Sequence, residues 1–319
     1  MSLFQKTLSA ITTNRNNRLE GRYNSIPFNM MSEHIAGIMR GVYYIVTANS
    51  GVGKTQITKN LFVLNPINFI QEHPESGIRL KIFYFALEES RNEFMASLIS
   101  SQLKLKYNIS IPTTVLLSLG DHILPDNIIE KVLEIQDYFQ TFEEHVEVID
   151  NISNPTGIYN YVRSYMRANG KDHYTTKDID GVPTRVLDWY EPNDPNEYVI
   201  IVTDHIGLLQ PEAGRGGNKL YDSIGFFSKA YCRQKLTKHY NCAVVNVQQQ
   251  MAAQEGMDAV KLKKLEPSLN GLAENKTTGR DAHVVLGLFA PVRYNVQTHL
   301  GYDITKLQDN YRGLQIIKN

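Results

Sequence analysis

The sequence predicts an α/β fold of the P-loop type, a mostly parallel central sheet flanked by helices. Two observations carry this expectation. First, six apolar runs, 43–47, 82–85, 146–149, 199–203, 243–247 and 284–289, alternate with helix-type stretches. Each run is nearly continuous rather than alternating, as in strands covered on both faces. Second, Ala48-Asn49-Ser50-Gly51-Val52-Gly53-Lys54-Thr55 follows the first run and precedes apolar residues at Ile57, Leu61 and Leu64. Strand, glycine-rich loop and helix in that order make a phosphate-binding loop, with Ala48 where the usual first glycine stands.

The residue types of this loop follow from its chemistry. Gly51 and Gly53 let backbone N–H groups turn inward around phosphate oxygens, where a Cβ would obstruct them. The helix beginning near Thr55 adds its positive end. Lys54 is expected to reach the terminal phosphates and the Thr55 hydroxyl to complete the shell of a Mg²⁺ ion. The pattern implies a nucleoside triphosphate as ligand.

The other elements are taken in chain order. Residues 1–40, polar at first with Asn14-Arg15-Asn16-Asn17-Arg18, are assigned to an N-terminal extension or linker, and 41–319 to the ATPase-type domain. Ser90-Arg91-Asn92-Glu93 is a capping box that opens a helix with apolar Phe94, Leu98 and Leu103. Just before it, the run through Phe85 ends in Glu88 and Glu89. A carboxylate there can polarise an attacking water, and the two compete for the role. Residues 168–196 are rich in Gly, Asp, Asn and Pro and are expected to form an insertion on the surface. Asp204 closes the run 199–203, where a strand-end carboxylate stands beside the magnesium held by Thr55. The run 243–247 leads into Gln248-Gln249-Gln250, whose amides can detect a terminal phosphate without bringing charge.

Charge is balanced, with 33 Lys+Arg against 33 Asp+Glu, so nucleic-acid contact requires a local patch. Residues 211–240 supply one: Arg215, Lys219, Lys229, Arg233, Lys235 and Lys238 against Glu212 and Asp222, behind a Gly214–Gly217 loop. The loop 250–278 holds four Lys and four acids and is expected to be mobile without a ligand. Two cysteines are too few for a disulfide framework or a zinc site and suit a reducing compartment. The N-terminus lacks the apolar core of a signal peptide, and no run approaches the ~18 apolar residues of a membrane span. A cytoplasmic protein without membrane contact is expected.

In this order the segments resemble the ATPase domain of DnaB-type replicative helicases, within the RecA-like fold, from about residue 26 onward. Phe85-Ala86-Leu87-Glu88-Glu89-Ser90 resembles the family's Ser-Leu-Glu-Met-Ser element, which favours Glu88 as the catalytic carboxylate. Asp204-His205-Ile206-Gly207-Leu208-Leu209 resembles Asp-Tyr-Leu-Gln-Leu-Ile, the element that bears the magnesium-side Asp. Val247-Gln248 falls on Ser-Gln, which makes Gln248 the phosphate sensor, with a slip to Gln249 as the alternative. Leu272-Ala273-Glu274 and Arg280-Asp281-Ala282-His283 resemble Leu-Arg-Glu and Gln-Asp-Ala-Asp. Ala48, His205 and His283 depart from the family pattern, as does the long 168–196 segment.

The resemblance implies an ATP- and Mg²⁺-dependent translocase that moves along single-stranded DNA as a homo-oligomeric, hexameric ring. It implies ATP bound by residues 48–55, catalysis by Lys54, Glu88 and Gln248, metal ligation by Thr55 and Asp204, and DNA contact through Arg215, Gly217, Lys219, Lys229 and Arg233. Primase is the implied partner, and a phage-like form in a host cytoplasm is expected because the family's N-terminal primase-contacting domain has no counterpart here. A recombinase or helicase loader of RecA-like fold is the alternative. Lys318 matches the Lys of the family's trans-acting Lys-x-Arg-x-Gly element, and the sequence stops one residue short of the Arg. That implies ATP binding but very slow hydrolysis by this chain alone, with Arg312 or Arg293 in the role of the Arg as the alternative.

Overall fold

The computed structural model describes residues 2–19, 23, 25–28, 31–212, 219–252 and 265–319. The central sheet has seven strands in chain order: β1 (Tyr43–Ala48), β2 (Arg79–Ala86), β3 (Val146–Ile149), β4 (Glu197–Asp204), β5 (Ala243–Gln249), β6 (Val284–Phe289) and β7 (Gly313–Lys318). Their spatial order is β7-β6-β1-β5-β4-β2-β3. All neighbours are parallel except β6 and β7, which pair antiparallel. Each of the six apolar runs is a strand of this sheet.

Both faces are covered, which is why the strands read as continuous apolar runs. Alternate residues of one strand point to opposite faces. Tyr44, Val46, Ile82, Tyr84, Ile200, Val202 and Val245 pack beneath the helical run that begins at Lys54, against Phe62, Val63 and Ile67. Tyr43, Ile45, Phe83, Phe85, Ile201 and Val244 face the other way, against Ile158 and Val162 of helix Pro155–Ala168 and Phe227 and Leu236 of the helical run from Leu220 to His239. Among the described residues no helix is long and apolar enough to cross a membrane.

The predicted capping box is present. Glu93 N–H donates to Ser90 Oγ at 3.3 Å, and Ser90 N–H donates to Glu93 Oε2 at 2.9 Å, at the head of helix Arg91–Tyr107.

Three regions are more ordered than their composition suggests. Ile26, Phe28, Met31, Ile35 and Ile38, from the segment assigned to the extension, are buried in the same cluster as Phe62. Phe28, Met31, Ile35 and Ile38 are spaced as on one face of a helix, yet the described residues there form turns and the short strand Ile38–Met39, so the apolar pattern marks burial without a helix. The 168–196 segment is a hairpin, Gly170–Ile179 paired antiparallel with Val182–Pro192. Asp180 and Gly181 turn it with φ of 52° and 78°, the backbone of a two-residue type I′ turn. That Asp-Gly pair was the available signal. The ends of the loop 250–278 are packed: Gln250 donates to Thr47 Oγ1 at 2.9 Å, and Leu272 and Asn275 are buried. Residues 253–264 of that loop lie outside the described residues.

Ser90→Ala removes one side of the capping box and is expected to cost about 1 kcal/mol. A urea titration checks this as a lower midpoint with an unchanged slope.

Candidate nucleotide-binding site

In an open parallel sheet, ligands gather at the carboxyl ends of the strands, and the chemistry-bearing residues gather there too. Register puts the ends of β1, β5, β4 and β2 side by side: Ala48 pairs with Gln249, Thr203 with Asn246, and Asp204 with Ala86. The loop leaving β1 turns through Gly51 (φ 68°) and Gly53 (φ 108°), conformations that a side chain resists. Ala48 is the last residue of β1, fully buried and on an ordinary strand backbone. A methyl group is accommodated there, among Val52, Leu288 and Ala290.

Two arginines hold the backbone of the loop. Arg293 donates to the Ser50 carbonyl, and Arg312 Nε donates to the Val52 carbonyl at 3.2 Å. Asn49 Nδ2 donates to the Tyr294 hydroxyl at 2.5 Å, and the Tyr294 ring lies parallel to Phe289. Phe289, Tyr294 and His299 line a cavity of about 420 Å³ beside this end of the loop.

Lys54 opens the helix and is almost wholly buried, yet its ammonium makes no hydrogen bond among the described residues. Burial pushes its pKa down, against the pull of Glu88, Asp204 and Glu274. One cation among three carboxylates leaves this pocket short of positive charge, which a divalent cation would make up.

Asp204 is buried, and the Tyr84 hydroxyl donates to its Oδ2 at 2.7 Å. Burial pushes its carboxyl up from the ordinary range, opposed by Tyr84 and by the neighbouring Thr55 hydroxyl. Oδ1 is buried without a hydrogen-bond donor among the described residues. An oxygen left over on a buried carboxylate, beside a threonine hydroxyl, fits Mg²⁺, which takes few protein ligands and keeps water and phosphate for the rest. Thr55 and Asp204 are therefore the residues that could hold it. Next to them, burial and then Lys54 push His205 down to about 4, so it is neutral at pH 7, and its buried Nε2 has no partner among the described residues.

The two glutamates at the end of β2 differ sharply. Glu89 pairs with Lys59 at 2.7 Å, and Lys59 is fully buried, bonded to Ser97 at 2.6 Å and seated over the Phe94 ring. Glu88 is exposed, with no such partner among the described residues, and lies within electrostatic reach of Lys54 and Asp204.

The glutamines differ as well. Gln248 is fully buried: Nε2 donates to the carbonyls of Ala273 at 2.6 Å and Asn275 at 3.0 Å, and Oε1 accepts from the Thr278 hydroxyl at 2.6 Å. This occupies both its donors and its acceptor. Gln249 is half-buried, makes no side-chain hydrogen bond among the described residues, and alternates onto the face of Val245 and Val202, the face of Asp204 and of the helix from Lys54. Gln249 is therefore the glutamine with an uncommitted amide among the described residues, and Gln248 ties β5 to the segment 273–278. Glu274 was legible only as part of a three-residue element; its nearness to Lys54 comes from a left-handed turn at φ 54°.

The remaining sequence candidates are dispersed. Arg215 and Gly217 lie outside the described residues. Lys219 and Lys229 are exposed at the start and on the side of the helical run Leu220–His239. Arg233 bonds to His283 at the amino end of β6, the far end of the sheet from the loop. Lys318 lies at that far end too, and its ammonium donates to the carbonyls of Gly279, Arg280 and Ala282 at 3.0, 3.1 and 2.6 Å. Acting in a neighbouring subunit would require it to release all three.

The fold and the loop define a RecA-like α/β domain, and its structural neighbours are DnaB-like helicase ATPase domains. The chain is similar to one such domain solved by itself, with a TM-score of 0.62 and 14% identity over 100% of this chain and 91% of that one. It is equally similar to a DnaB-like replicative helicase, described together with its interactions with primase, with a TM-score of 0.62 and 14% identity over 98% of this chain and 61% of that one. The chain thus spans less than two thirds of that helicase's length. No family model and no curated protein matches the sequence.

Lys54→Ala is expected to weaken ATP binding roughly ten- to a hundred-fold, the worth of one charged hydrogen bond, without lowering the thermal midpoint, since it removes a buried unpaired cation. The glutamates should separate in the same assays. Glu88→Gln should keep ATP binding and lose turnover by about 10²–10⁴. Glu89→Gln should lose stability, on the order of 3 kcal/mol, by leaving Lys59 buried without its charge partner.

Proposed function

We propose that the chain is an ATP-dependent motor domain of the DnaB helicase type, acting on single-stranded DNA from within a homo-oligomeric ring. The observation that carries this reading is the convergence of Lys54, Thr55, Asp204 and Glu88 on one loop at the carboxyl ends of β1, β4 and β2. The fold shared with DnaB-like ATPase domains supports it.

Each residue has a defined part. Loop N–H groups and Lys54 bind the triphosphate, and the cavity beside Tyr294 takes the nucleoside end. Thr55 and Asp204 hold the Mg²⁺, whose charge offsets that of the phosphates. Glu88 orients the attacking water and accepts its proton. The free amide of Gln249 contacts the terminal phosphate. Lys219 and Lys229, with Arg215 in the preceding loop, meet the DNA backbone through charge and carry no sequence preference. Neighbouring subunits complete each site, and primase is a partner of the ring.

The decisive experiment measures ATP hydrolysis with and without single-stranded DNA, together with displacement of a paired strand. Stimulation with displacement supports a helicase. DNA binding without displacement indicates a recombinase or loader, and a chain that does neither contradicts the proposal. Arg215→Ala with Lys219→Ala should weaken binding to every single strand tested and flatten its salt dependence by about 0.7 log unit per lost phosphate contact. An unchanged slope places this loop away from DNA.

A further inference from the structure

The turn from Ala273 to Thr278 carries two neighbouring residues that serve different sites. Glu274 brings its charge to Lys54. Asn275, 2% exposed, faces the helix that follows the 211–219 loop, and its Nδ2 donates to the Tyr221 carbonyl at 2.8 Å, within the first turn of Leu220–Phe226. Its Oδ1 accepts from the Thr277 N–H at 2.9 Å and the Thr277 hydroxyl at 2.6 Å, so the amide is fixed in orientation. β5 is fastened to the same turn, because Gln248 bonds to the carbonyls of Ala273 and Asn275 and to the Thr278 hydroxyl. The helix makes room for this contact: a Cβ on Gly225 would lie 2.7 Å from Asn275 Nδ2. Gly225 has no left-handed backbone to justify it, so the close approach of Asn275 is its evident reason.

We infer that Asn275 is the joint that couples the Lys54 site to the Lys219–Lys229 surface, the turn 273–278 shifting as one piece and carrying the first turn of the helix with it. The inference rests on the reading that the first site takes ATP and the second takes single-stranded DNA. Asn275 touches neither ligand and is a positioning residue. A buried amide bonded on both sides suits the task, since it transmits displacement in a fixed geometry and has no slack to absorb it.

Coupling between two ligands is reciprocal, so it is read as the factor by which a non-hydrolysable ATP analogue with Mg²⁺ changes affinity for an oligo-dT strand, and the reverse. Two variants test the joint from opposite sides. Asn275→Asp keeps the acceptor for Thr277 and replaces the donor to Tyr221 with an oxygen. Gly225→Ala leaves Asn275 intact and fills its space, while alanine favours the helix. In the wild type the factor should be about fivefold or more, the ordinary range of coupling between sites. In both variants each ligand alone should bind within about twofold of wild type, while the factor falls toward one. Loss of coupling in Gly225→Ala, whose helix is not weakened, separates positioning from general destabilisation. Wild-type coupling that survives in both variants overturns the inference alone. A wild type that binds neither ligand overturns the functional reading and the inference with it.

Discussion

The ammonium of Lys54 is buried among Glu88, Asp204 and Glu274 and forms no hydrogen bond among the described residues. The rest of the molecule is arranged around that imbalance. A lone buried cation is unfavourable unless carboxylates face it, and three carboxylates facing one cation are unfavourable unless further positive charge arrives. Glu88 and Asp204 come from the ends of two strands held in register by parallel pairing, and Glu274 comes from the turn 273–278, so the cluster is assembled by the fold from segments far apart in the chain. Arg293 and Arg312 hold the backbone of the loop at Ser50 and Val52, on either side of the Gly51 turn, before any ligand binds.

The same strand ends explain why neighbouring residues of one type have different uses. Glu88 and Glu89 leave β2 together, but only Glu89 meets the buried Lys59. Gln248 and Gln249 leave β5 on opposite faces, and only Gln248 meets the turn that begins at Ala273. In each pair one residue secures the scaffold and the other makes no side-chain bond among the described residues. Structural and chemical duties are divided between adjacent positions.

Much of this was legible in the sequence, and the limits have physical causes. The six strand runs and the loop 48–55 were legible because burial on two faces and glycine φ requirements are local demands. The resemblance favours Glu88, whereas the structural difference between the two glutamates comes from Lys59, thirty residues away along the chain and next to Glu89 in space. Gln248 against Gln249 was not decidable, since a shift of one residue changes the face and the partner lies on the turn near Asn275. The hairpin 170–192 carried its Asp-Gly signal inside a polar stretch that resembled a loop by composition. Lys318 matched a motif, and only the fold shows its ammonium committed to three carbonyls.

The central claim is that Lys54, Thr55 and Asp204 form one site for a triphosphate and a magnesium ion. Calorimetric titration of a non-hydrolysable ATP analogue, with and without Mg²⁺, into wild-type protein and Asp204→Asn tests it most directly. The account predicts that Mg²⁺ tightens binding to the wild type by about tenfold or more, a charged interaction of at least ~1.4 kcal/mol, and that Asp204→Asn loses most of this gain while still binding the analogue. Equal dependence on Mg²⁺ in the two proteins, or no binding to either, would contradict it.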